Sequence, residues 1–111
     1  MKRIYYIAGP MTGIPNYNRT AFYRAELDLK RRFSDSVILN PAIHPDGLEH
    51  AEYMMLCRPM VEIATHLYML RGWENSKGAN IEYRWALNYN KVIEQETGKL
   101  SDSNGLTAIL T

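Results

Sequence analysis

Three short apolar runs, "RIYYIAG" (3–9), "SVILNP" (36–41) and "HLYML" (66–70), alternate with stretches of helical spacing. Nothing else in the chain restricts its fold as much. Runs of this length, rich in β-branched and aromatic residues and closed by Gly or Pro, read as buried strands. Between the first two, Phe22, Ala25, Leu29 and Phe33 recur at helical spacing, which predicts a helix over 18–33. A second helix is expected from Glu49 to Ala64, with Pro59 breaking or kinking it, because proline lacks the amide donor and crowds the preceding turn. A third is expected from about Lys77 to Tyr89, with Ile81, Trp85 and Tyr89 facing inward. "KVI" (91–93) reads as a fourth strand. Alternating strands and helices imply a parallel sheet joined by crossovers. The expected fold is a small doubly wound α/β domain over 1–93, with four or five parallel strands flanked by helices. The tail over 94–111 is polar and turn-rich, with "LTAIL" as a candidate edge strand.

With 111 residues, 46% of them apolar, one domain with a small core is expected. Aromatic residues make up 11% of the chain, more than such a core needs, so some of Tyr17, Tyr23, Tyr83, Trp85 and Tyr89 are expected at a subunit contact. A homodimer or larger homo-oligomer follows. A net charge of +1 supplies no general attraction to nucleic acid, and no nucleic-acid motif is present. No apolar run approaches the ~20 residues of a membrane span. "MKRIYYIAG" is too short for a secretory signal and reads as a strand. Cys57, the single cysteine, rules out an intrachain disulfide and suits a reducing cytoplasm.

In doubly wound sheets, ligands bind beyond the carboxyl ends of the strands. Two glycine-containing loops lie there: "AGPMTG" after the first strand and "RGWENSKG" after the third. Amides exposed at a helix start favour an anion. Neither loop carries a dinucleotide or Walker pattern, so turn formation alone also accounts for the glycines. Glu82 follows the second loop, one residue after Ile81 and three before Trp85, where it borders the inner face of the third helix. An ionised carboxylate there, helped by the helix dipole, is a candidate nucleophile towards a sugar carbon. A glutamate that only favours helix formation is the other reading. Trp73, in a loop, is a candidate stacking surface for a base. Tyr5 and Tyr6 point to opposite faces of the first strand, so one packs inward while the other is free to reach the crevice. His44, Asp46, Glu49 and His50 lack metal-ligand spacing and read as a solvated loop. No metal and no cofactor is expected. His66, at a strand start, reads as a packed histidine, and Met54, Met55 and Met60 as core fillers.

"YIAGPMTGIPNYNRTAF", "NPA", "GLEHAEYM" and "LYMLRGWENSKGANIE" together resemble a family of short, often phage-encoded proteins within the nucleoside 2-deoxyribosyltransferase-like superfamily. The resemblance covers 3–93. It implies a flavodoxin-like fold, assembly as a dimer or larger, and cleavage of the N-glycosidic bond of a deoxynucleoside or deoxynucleotide. The superfamily's G-x-x-x-E glutamate attacks the anomeric carbon; "GANIE" matches it, which places Glu82 as the nucleophile and Gly78 beside the ligand. A first-strand tyrosine orients that glutamate, and Tyr5 takes its place. The loop after the first strand, here Gly9, Pro10, Met11, Thr12 and Gly13, lines the nucleotide site. In the deoxynucleotide hydrolases a serine six residues before the glutamate holds the 5′-phosphate, and Ser76 stands there.

Two superfamily aspartates are replaced, at Thr65 and at Cys57. Neither side chain is a good general acid near neutral pH, and Glu74 and Glu49 are the carboxylates left to substitute. Two functions of different classes follow. The first is glycosidic cleavage or transfer on a small nucleotide through Glu82. The second is binding of a nucleotide or an ADP-ribose-like signal without cleavage, as in a phage sponge against host signalling.

Overall fold

The computed structural model describes residues 2–97. Strands β1 (Ile4–Ala8), β2 (Val37–Leu39), β3 (His66–Met69) and β4 (Val92–Gln95) alternate with helices α1 (Arg19–Arg32), α2 (His50–Ile63) and α3 (Lys77–Asn88). All three strand pairings are parallel, in the order β2-β1-β3-β4. This is the expected α/β fold, and its order is consistent with a flavodoxin-like layout. The order reverses between β1 and β3, which leaves a crevice at the carboxyl ends of the strands.

Side chains alternate across a strand, and the sheet accordingly carries two apolar layers. Tyr5 and Ile7 join Phe22, Ala25, Leu29, Tyr68 and Leu70 beneath α1. Tyr6 and Ala8 join Cys57, Val61, Leu67, Met69, Ala79 and Ala86 beneath α2 and α3. The buried stripe of α3 is Ala79, Glu82 and Ala86; Ile81, Trp85 and Tyr89, expected to face inward, are half-buried. Small residues let the α3 backbone lie close to the sheet, so the bulky ones flank the contact.

Pro59 sits inside α2 without ending it. The carbonyl it leaves free belongs to Met55, a residue that is 74% exposed. Met55 is therefore no core filler. β4 runs to Gln95, past the expected end at residue 93, and the Glu96 amide continues the pairing by donating to the Met69 carbonyl. The folded part thus includes residues first read as tail. "LTAIL" lies outside the described residues. Among the described residues, no helix is long and apolar enough to cross a membrane.

Candidate functional site

Loops at the carboxyl ends of the strands enclose a cavity of about 610 Å³, within the usual range for a small-molecule site. Gly9, Pro10, Met11 and Thr12 form one wall, and Ser76, Lys77 and Gly78 at the start of α3 form another. Tyr17, Arg19, His44, His50 and Tyr53 line the rest, with Glu82, Tyr6 and Cys57 at the α3 side. Most of the expected site residues therefore converge. Gly9 permits this geometry because a Cβ there would lie 2.8 Å from Leu70. Gly78 is less constrained: a Cβ there would make an ordinary contact with Met54 Sδ at 3.4 Å.

Glu82 is 6% exposed. The Tyr6 hydroxyl donates to its Oε2 at 2.5 Å, and the Cys57 thiol lies beside it. Burial raises its carboxyl to about 7, with the Tyr6 hydrogen bond and the neighbouring Cys57 thiol pulling the other way. The sequence suggested a carboxylate kept ionised by the helix dipole; desolvation outweighs that dipole here. Near neutral pH Glu82 is divided between an acid and a carboxylate. Burial, and then the neighbouring carboxylate, raise the Tyr6 hydroxyl well above its ordinary value. The same two causes push the Cys57 thiol up to about 12. Both neighbours stay protonated, and Tyr6 is the donor to Glu82.

Tyr5, expected to orient Glu82, does not reach it. It points to the α1 face, where its hydroxyl donates to Glu94 Oε1 at 2.9 Å. One residue along a strand changes the face, so Tyr6 fills the place assigned to Tyr5. Trp73 also falls outside the cavity wall. The turn Trp73–Asn75 lays its indole 4.7 Å from the Tyr83 ring, against the α2/α3 layer. Gly13 makes a turn with φ +83° behind the loop and is not part of the wall. Ser76 caps α3 by accepting from the Ala79 amide at 3.2 Å. Its hydroxyl proton remains for a ligand, beside the Lys77 and Gly78 amides.

Thr65 takes no part in the cavity. Its hydroxyl accepts from the Ile4 amide at 2.9 Å and ties β1 to β3 at the opposite end of the sheet. Glu74 and Glu49 are also outside the wall, and Glu49 caps α2. Among the described residues, Glu82 is thus the one carboxylate in the lining. His66 packs against Tyr5 with ring centroids 4.9 Å apart, and burial lowers its pKa. His44 and His50, read as a solvated loop, are instead in the wall. Their signal was non-local: Arg19, more than twenty residues earlier, reaches the 42–46 loop and draws it over the cavity. Among the described residues no three His, Cys, Asp or Glu side chains converge as metal ligands would.

Residues 3–95 match the family described as "Domain of unknown function (DUF4406)", and the chain belongs to that family. A search of curated proteins gives no match.

Proposed function

We propose that this protein cleaves or transfers the N-glycosidic bond of a (deoxy)nucleoside 5′-monophosphate or related nucleotide, with Glu82 as nucleophile. The observation that carries the reading is a buried carboxylate in a ligand-sized cavity, held by a tyrosine from the neighbouring strand. The resemblance to nucleoside 2-deoxyribosyltransferase-like proteins supports it, with Tyr6 in the orienting role.

A Glu82 oxygen attacks the anomeric carbon as the bond to the base breaks, and the electron pair leaves with the base nitrogen. The cleavage is oxocarbenium-like, so an adjacent anion lowers its barrier. Tyr6, a neutral donor, holds the carboxylate without neutralising it. Water or a second base then releases the glycosyl group. The proposed 5′-phosphate contacts are the Ser76 hydroxyl and the first α3 amides, with the Lys77 charge beside them. A homodimer or larger assembly in a cytoplasmic setting belongs to the same proposal.

Incubation with a nucleotide panel, followed by chromatography for freed base, tests the reaction. Release by the wild type and none by Glu82→Gln is the expected result. Substantial turnover by the Gln variant would remove Glu82 from the chemistry. The second reading is a nucleotide or ADP-ribose-derivative binder of the sponge type. It is favoured by one feature: among the described residues, no second carboxylate lines the cavity to protonate the leaving base. A melting point raised by a nucleotide that is never cleaved would select it.

A further inference from the structure

Among the described residues, the phenylalanine and tyrosine rings that line the cavity are Tyr6, Tyr17, Phe22 and Tyr53. Tyr6 and Phe22 are buried. Tyr53 is half-buried, and its hydroxyl is spent between the Pro45 carbonyl at 2.7 Å and the Leu48 amide at 3.3 Å. Tyr17 is the exposed one, at 45%. It stands in the segment Pro15–Asn18, which buries none of its residues. Trp73, the ring that the sequence offered for a base, lies outside the wall. Nε2 of His44 is buried without a hydrogen-bond partner, and that burial closes it to a ligand. Tyr17 is thus the large ring that a molecule in the cavity can reach.

That ring is held at a cost in backbone conformation. Asn16, Tyr17 and Asn18 are three successive residues with φ of 54°, 54° and 61°. Asparagine tolerates the left-handed region, whereas a bulky residue there is an outlier. Burial of the ring does not offset the strain, because the ring stays exposed. The surroundings nonetheless fix every residue of the run. The Tyr17 amide donates to the Ile14 carbonyl at 2.8 Å, Asn18 Nδ2 donates to the Pro10 carbonyl at 2.9 Å, and Arg19 Nη1 donates to Asn16 Oδ1 at 3.2 Å. The Arg19 guanidinium lies 5.4 Å from the Tyr17 ring centroid. It is itself anchored on the Ala42 carbonyl at 3.1 Å and on Asp46 Oδ1 at 2.6 Å. A strained, exposed ring that its surroundings over-determine points to function rather than to packing.

We propose that Tyr17 is the platform on which the heterocyclic base of the ligand stacks. This rests on the nucleotide reading above and holds whether the ligand is cleaved or only bound. Ser76 and Lys77 enter the cavity from the start of α3, which packs on one face of the sheet; Tyr17 precedes α1, which packs on the other. A nucleotide carries its phosphate and its base at opposite ends of the sugar. A phosphate at the start of α3 therefore sends the base towards the Tyr17 wall. Every base has a π-face, so the platform takes purines and pyrimidines alike. A sugar phosphate has no such face and gains nothing from Tyr17.

The test compares Tyr17→Asn and Tyr17→Phe with the parent, all on a Glu82→Gln background so that turnover consumes no ligand. Asparagine accepts the left-handed conformation, as its two neighbours do, and carries no ring; phenylalanine keeps the ring. Calorimetry is run with the four 2′-deoxynucleoside 5′-monophosphates and with 2-deoxyribose 5-phosphate. The Asn variant should lose about fivefold to a hundredfold in affinity for the best-bound nucleotide, the worth of one stacked base, with sugar phosphate affinity unchanged. The Phe variant should bind as the parent does. The urea midpoint of the Asn variant should be equal or higher, because strain is relieved and no buried ring is lost. Unchanged nucleotide affinity in the Asn variant, or an equal fall for nucleotide and sugar phosphate, overturns the assignment. A smaller oligomer mass for the Asn variant at unchanged nucleotide affinity would make the ring a subunit contact instead. If the Asn variant fails to fold, the ring-proton resonances of Tyr17 in the parent decide. They should shift with the nucleotide and not with the sugar phosphate; no shift with either rejects the stack. A parent melting point unmoved by every nucleotide rejects the nucleotide reading itself, and the role of Tyr17 with it.

Discussion

Glu82 should make this protein less stable as the pH rises, and Glu82→Gln should remove that dependence. The carboxyl has an ordinary value of 4.5 and is raised to about 7 in the folded chain, burial being the largest cause. Below 4.5 the group is protonated in the folded and the unfolded chain alike, and its burial carries no charge penalty. Between 4.5 and about 7 the unfolded chain releases the proton while the folded chain retains it, which favours unfolding. Above about 7 both forms are ionised and the loss is complete. At about 1.4 kcal/mol per pH unit, the full loss is about 3 kcal/mol. That is a large share of the roughly 5–15 kcal/mol that holds a domain folded.

Glutamine keeps an oxygen for the Tyr6 hydroxyl and has nothing to ionise. Urea unfolding of both proteins at several pH values, followed by tryptophan fluorescence, isolates the effect, because every other titrating group cancels in the difference. The Gln variant should gain about 3 kcal/mol on the wild type between pH 4.5 and 8. With a urea slope of about 1–3 kcal/mol per molar, the midpoints should separate by about 1–3 M. A difference that stays flat within about 0.5 kcal/mol would mean that Glu82 is hydrated in solution, and the desolvation argument would fail. The same ionisation governs a nucleophile: any cleavage rate should rise with pH and level off above about 7.

Tyr6→Phe should raise the Glu82 midpoint further, by removing a hydrogen bond to the carboxylate, whereas Tyr5→Phe should leave it in place; a carbonyl ¹³C titration of Glu82 reads both, and the reverse pattern would return the orienting role to Tyr5. Ser76→Asp should keep the α3 cap but repel a phosphate. Wild type should prefer a nucleoside monophosphate over its nucleoside by about tenfold to a hundredfold, and the variant should reduce or reverse this; equal affinities in both proteins would take Ser76 out of the site. Gly9→Ala should destabilise by about 1–3 kcal/mol, because its Cβ would press on Leu70, and an unchanged urea midpoint would show that the loop yields freely. Light scattering should give a dimer mass or larger at micromolar concentration, with Met55 and Ile63 on α2 as exposed apolar candidates for the contact; a monomer mass rejects it.

The strands were legible because parallel strands are covered on both faces and their sequences run apolar without a break. The loops at their carboxyl ends were legible for the same reason, being the places where those runs stop at Gly9-Pro10 and before Gly72. What could not be read was orientation. Tyr5 and Tyr6 are identical in type and adjacent, and only the placement of α3 decides which hydroxyl meets Glu82. On α3, large residues at 81, 85 and 89 made the stronger periodic signal, yet close helix-to-sheet packing selected the small residues on the neighbouring stripe. β4 was cut short because Glu94 and Gln95 are polar, and an edge strand tolerates polar residues that a central one does not. Glu94 is even used, as the acceptor for Tyr5 and Arg32. His44 was hidden because the residue that positions it comes from α1.

Where this chain departs from ordinary packing also bears on function. Among the described residues, the buried polar side chains outside the cavity are satisfied: Asn40 donates to Glu26 and accepts from the Ala42 amide, and Ser36 donates to the Phe33 carbonyl. Asn90, left-handed at the end of α3, is a single asparagine where such a conformation is ordinary. Three departures remain: a carboxylate buried at a cost of about 3 kcal/mol when ionised, an imidazole nitrogen with no partner, and a left-handed run that includes a tyrosine. All three contribute residues to one cavity wall. Packing alone would favour a hydrophobic residue at 82, a phenylalanine at 44 and a glycine at 17. Local violations of folding rules collect where a structure is shaped for something other than its own stability. A solvated crevice would need none of the three, and the nucleotide proposed above would make use of the carboxylate.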